Sequence, residues 1–211
     1  MVQAIPARSS QAGVTTLRDI ANIASPAEAP LTLRFSAAMT ALFAAQFRAS
    51  FLGGKPKERG GTIVADHAGN LSVQRLGGLG STDGEFDFDM RPTDPAQFTA
   101  VGMFHTHPYG KEARWAVGIP LSGGDAAALV DDKYIISLVQ SGPHLFACLK
   151  TAQSPSGVDQ AALQKASNNE VAQLVAAGRT PEAASRHVSR KIAAMLSLAF
   201  YQGANGFITR A

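Results

Sequence analysis

The chain has 211 residues, 45% hydrophobic and 17% charged, which suits a folded domain with a substantial core and argues against a disordered segment. Its formal net charge is +3 with no block of Lys and Arg, so it carries no electrostatic footprint for nucleic acid. The one cysteine, Cys148, excludes an intramolecular disulfide framework. No apolar run approaches the ~20 residues of a bilayer span, and no charged-then-apolar leader opens the chain. The expectation is a cytoplasmic protein without membrane or nucleic-acid partners; export by a specialised secretion system that needs no cleavable signal is the alternative.

In chain order, residues 1–30 are rich in Ala, Ser and Pro and predict a loosely held N-terminal arm. From position 33, Phe35, Met39, Leu42, Phe43 and Phe47 recur at helical spacing, and Gly53-Gly54-Lys55-Pro56 ends the pattern. Residues 60–66 and 71–76 read as an antiparallel pair joined by His67-Ala68-Gly69-Asn70. A glycine-rich connection, 77–81, follows, and then Glu85, Asp87 and Asp89 alternate with Phe86 and Phe88 as in a half-buried strand. Residues 98–104 form an apolar strand with His105 and His107 at its carboxyl end.

Further on, 122–130 predicts a helix, and 134–140 with 144–150 a second hairpin around Ser141-Gly142-Pro143. After a polar linker, 158–177 and 181–203 read as helical, the second capped by Thr180-Pro181-Glu182. Val188, Ile192, Met195 and Ala199 make its apolar stripe. The resulting division is an arm over 1–30, a catalytic domain over 31–152 and a C-terminal helical extension over 153–211.

Alternate residues of a strand share a face, so His105 and His107 project together. Two imidazoles and a carboxylate make an open zinc site, with three protein ligands and a fourth position for water. Asp125 is the candidate third ligand, although Ser122-Gly123-Gly124-Asp125 also reads as a capping box at a helix start. Cys148 and His144 do not make a thiol-protease pair, because four strand residues span ~13 Å.

His105-Thr106-His107-Pro108, followed by Ser122-Gly123-Gly124-Asp125, resembles the motif of the JAB1/MPN/Mov34 (JAMM) zinc metalloproteases, in their bacterial branch. Upstream, Pro56-Lys57-Glu58-Arg59-Gly60-Gly61 is similar to that family's Pro-x-Glu-x-x-Gly lead-in to a strand. The resemblance spans about 34–150 and implies an α/β fold, a curved mixed sheet flanked by helices. It implies zinc held by His105, His107 and Asp125, with Glu58 as general acid and base and Ser122 as a donor to the oxyanion. The substrate would be a protein or peptide, cleaved at a peptide bond or at an isopeptide bond to a ubiquitin-like modifier, as by deubiquitinase-like members.

One departure is the segment between His107 and Ser122. Residues 108–121 number fourteen, where the family has about seven, so 109–119 contains an insertion. Tyr109, Arg114 and Trp115 in it are residue types that carry binding energy at protein interfaces, and they are the candidate substrate contacts. Three other readings compete: a secreted effector or toxin with the same chemistry, a non-catalytic assembly module, and a cupin-type metalloprotein. His105-x-His107-x4-Glu112 fits the first part of a cupin motif, but no second part follows.

Overall fold

The computed structural model describes residues 13–52, 56–76, 91–108 and 118–211. The glycine-rich stretch, the alternating acidic stretch and the segment with Tyr109, Arg114 and Trp115 lie outside the described residues. The strands are β1 (Thr32–Arg34), β2 (Gly60–Asp66), β3 (Leu71–Gln74), β4 (Phe98–Thr106), β5 (Ile136–Ser141), β6 (His144–Leu149), β7 (Ala199–Ala204) and β8 (Phe207–Arg210). They form one curled mixed sheet in the order β1-β8-β7-β6-β5-β4-β2-β3. Around it stand helices α1 (Leu17–Ile20), α2 (Ala37–Ala49), α3 (Gly123–Asp131), α4 (Gln160–Ala176) and α5 (Pro181–Met195).

Among the described strands only β4 and β5 pair in parallel, and α3 is the crossover that such a pair requires. The two predicted hairpins, β2–β3 and β5–β6, are present. Gly69 and Gly142 take positive φ in their turns.

Alternation along the strands sends side chains to two cores. Leu145, Ala147 and Leu149 of β6 join α2, with Phe43 against Phe104 at 4.5 Å between ring centroids. Phe146 and Cys148 face the other way, onto α3 and α5. Helix α2 starts later than its apolar spacing suggests, because Ser36 accepts a hydrogen bond from the Met39 N–H as N-cap. Thr32–Arg34 before it is a strand paired with β8.

The C-terminal segment differs from the helical extension that the sequence predicts. Helix α5 ends at Met195, Ser197 turns the chain with φ of 51°, and Ala199–Ala204 pairs with β6. Residues 198–201 are apolar at every position, so they satisfy helical and strand spacing equally, and the open edge of β6 decides. Met195, placed by spacing on the apolar stripe, is 61% exposed, and Ala199 is buried in the sheet. A local signal did exist: Asn205 and Gly206, with φ of 53° and 73°, form the two-residue turn that joins β7 to β8. Strands β7 and β8 therefore stand inside the sheet, between β6 and β1.

The N-terminal arm also differs from expectation from residue 13 onward. Ile20 and Ile23 are buried in the α2-side core. Arg210 donates through Nη1 to the carbonyls of Pro26, Ala27 and Ala29, and the Tyr201 hydroxyl donates to Pro30 O at 2.7 Å. Among the described residues no helix is long and apolar enough to cross a membrane.

Candidate metal centre

Met103 of β4 belongs to the core on the α3 and α5 side. By strand alternation His105 and His107 project to the same side, and the two rings meet with Nε2 to Nε2 at 3.0 Å. Both are buried.

The register of β2 on β4 brings in Glu58. Gly60 pairs with His105, so continuing the antiparallel register sets Arg59 beside Thr106 and Glu58 beside His107. The side chain of Thr106, between the two histidines, points the other way and fixes this alignment. Its hydroxyl accepts from the Arg59 N–H at 2.9 Å and lies 2.7 Å from Ser50 Oγ, while its own N–H donates to Arg59 O at 2.8 Å. Glu58 is only 6% exposed and its Oε1 stands 3.8 Å from His107 Nε2. The strands approach so closely here that a Cβ on Gly60 would lie 2.0 Å from Phe104 O.

Asp125 arrives from the other direction, in the first turn of α3. The capping box forms: Ser122 Oγ accepts from the Asp125 N–H at 3.1 Å, and the Ser122 N–H donates to Asp125 Oδ2 at 2.6 Å. The same carboxylate faces the histidines, with Oδ1 3.1 Å from His105 Nε2 and Oδ2 3.5 Å from His107 Nε2. Cap and metal-facing carboxylate are thus one group, and neither role displaces the other. Burial by itself would raise the Asp125 carboxyl; His105 first, and then His107, outweigh that and hold it well below the usual carboxylate range.

Glu58, His105 and His107 form a buried group whose ligand atoms lie within 4.8 Å of one another and could hold a metal ion. Asp125 stands somewhat nearer than Glu58 to His107 Nε2, at 3.5 against 3.8 Å, and lies 3.1 Å from His105 Nε2. A tetrahedral ion with bonds of ~2.1 Å separates its ligand atoms by roughly 3.4 Å. The 3.0 and 3.1 Å spacings from His105 Nε2 to His107 and Asp125 fit such an ion after slight expansion.

Residues distant in sequence complete the surroundings. The His107 N–H donates to Gln140 O at 3.0 Å. Ser141 Oγ donates to His107 O at 3.2 Å and accepts from the N–H groups of Gly118 and Ile119 at 3.0 and 3.2 Å. From α4, Gln164 Oε1 accepts from the Gly124 N–H. None of these three has a motif to announce it, because each depends on which strand or helix becomes its neighbour.

Cys148 is part of the core behind the centre. Burial, reinforced by the Asp125 charge, pushes its thiol far above the usual range, so it is no nucleophile. No family model, no curated protein and no solved structure matches this chain.

Proposed function

We propose that the chain is a zinc-dependent metallopeptidase of the JAMM type, hydrolysing a peptide or isopeptide amide. The observation that carries this reading is the convergence, in one buried cleft, of two histidines and two carboxylates from three separate segments. Two imidazoles and Asp125 are a donor set suited to zinc, which leaves Glu58 beside His107 as a carboxylate not required for coordination. Zinc in such a site supplies Lewis acidity and brings the pKa of water towards ~7.

The chain's own groups do the rest. Glu58 takes the proton of the attacking water and returns it to the amine as the C–N bond breaks. Ser122 Oγ uses a lone pair for the Asp125 N–H, so its O–H remains able to donate to the carbonyl oxygen as negative charge develops there. His105, His107 and Asp125 hold the ion.

Two measurements test the reading. Protein purified without added metal should contain close to one zinc per chain; iron or manganese instead would favour the cupin reading. Glu58→Gln should keep that zinc and its fold but lose turnover of peptide amides by at least ~10². A fully active Glu58→Gln protein sinks the mechanism.

A further inference from the structure

The cleft that holds the four converging side chains extends well past them, along the α4–α5 pair, with a total volume of about 1350 Å³. Beyond the centre its walls include Val171 and Val175 of α4 and Val188 and Ile192 of α5, with Gln160 and Asn168 supplying amide groups. Apart from the centre itself, Asp132 is the only charged group among the described residues that line it.

This furrow is tied rigidly to the turn that carries Ser122 and Asp125. Gly123 lets α4 approach, since a Cβ there would fall 2.7 Å from Leu163 O and 2.9 Å from Ser167 Oγ. On the α5 side, Ser189 Oγ donates to Leu121 O at 2.6 Å. The sequence resemblance stops near residue 150, yet the segment beyond it builds a wall of the site.

Resting on the amide-hydrolase reading, we propose that this furrow is the specificity subsite and receives an extended, uncharged peptide segment adjoining the scissile amide. The occupant follows from continuity: an amide placed at Glu58 and the histidines has its flanking chain directed into the same cleft. Its chemistry follows from the walls. A charged substrate side chain among Val171, Val175, Val188 and Ile192 would lose water and find no partner. A Val- or Leu-sized side chain would bury apolar area, while the amides of Gln160 and Asn168 meet the peptide main chain. Val175 stands at the open rim, 38% exposed, and a substitution there leaves the core untouched.

The test uses the full-length, zinc-loaded protein carrying Glu58→Gln, so that binding is read without cleavage. The probes are two end-blocked fluorescent ten-residue peptides, one with two Val on each side of the central amide and the other with Glu at those four positions. Anisotropy titration should show the Val peptide binding at least about tenfold tighter. Adding Val175→Lys should weaken the Val peptide and strengthen the Glu peptide, reversing the preference. Equal affinity for the two peptides, no binding of either, or a preference that Val175→Lys leaves unchanged overturns the assignment. A wild-type protein that cleaves no amide, while this preference and its reversal hold, would sink the proposed activity and leave the furrow standing.

Discussion

The hydroxyl of Ser141 is buried and joins two points that the chain keeps eleven residues apart, the His107 carbonyl and the N–H of Gly118, which both bond to it. Ser141→Ala would leave the buried Gly118 N–H and the part-buried Ile119 N–H without their acceptor, a cost of about 1–3 kcal/mol. Denaturant unfolding should show that loss, and retention of any bound metal during dialysis against a chelator should shorten, because His107 is held from its backbone. Unchanged retention would limit Ser141 to a structural role. His144, on the neighbouring strand, reports differently. Burial and then the Arg186 charge lower its pKa below 6.5. The folded state therefore favours neutral imidazole, and the unfolded chain binds more protons between the two pKa values. Stability from this residue is complete above about pH 6.5 and is lost as pH falls through the folded pKa. Thermal unfolding from pH 7.5 to 5 should show wild type losing Tm faster than His144→Gln; parallel curves would count against it.

At the scale of elements, the centre depends on how closely β2 lies on β4. Gly60 is the residue opposite His105, and its missing Cβ is what permits the contact. Gly60→Ala should destabilise the fold by at least ~2 kcal/mol and displace His105, whose Cα the new Cβ would meet at 2.8 Å, so metal content should fall as well. Gly13→Ala, which meets nothing within 4 Å, should stay within about 0.5 kcal/mol of wild type and serves as its control. Equal Tm values for the two variants would show that the strands separate more easily than this packing implies. Helix α3 illustrates a second elementary point. Its first turn is a conventional cap, with an acidic group favourably placed at the positive end of the helix, and that same carboxylate faces both histidines. The local motif and the chemical motif coincide because the cap occupies only Oδ2, which also lies 3.5 Å from His107 Nε2, and leaves Oδ1 to His105.

For the whole molecule, the segment 153–211 contributes α4 and α5 to the site and β7 and β8 to the sheet. A chain ending at residue 152 would lack β7, one of the two neighbours of β6, and bare Phe146 and Cys148, which now pack with Val188, Ile192 and Phe200. Such a truncation should be insoluble or show no cooperative thermal transition. A soluble, cooperatively folding 1–152 fragment would prove that the C-terminal segment is a dispensable appendage.

The sequence alone determined the local elements and the chemical types at the centre. Both early hairpins, the histidine strand and the caps at Ser122 and Thr180 follow from turn residues, spacing and side chains within a few positions. His105 and His107 were legible because alternation puts them on one face of one strand. Only the tertiary structure decided the roles of Ser141, Thr106 and Gln164, since each bonds a group that is remote in sequence. It also turned 199–203 from apparent helix into strand, because the apolar run 198–201 has no intrinsic period and takes the geometry of the edge that it covers. The side-by-side placement of Glu58 and His107 belongs to both levels. Local sequence supplies the glutamate before a Gly-Gly strand start, and the β2–β4 register carries it to the histidine.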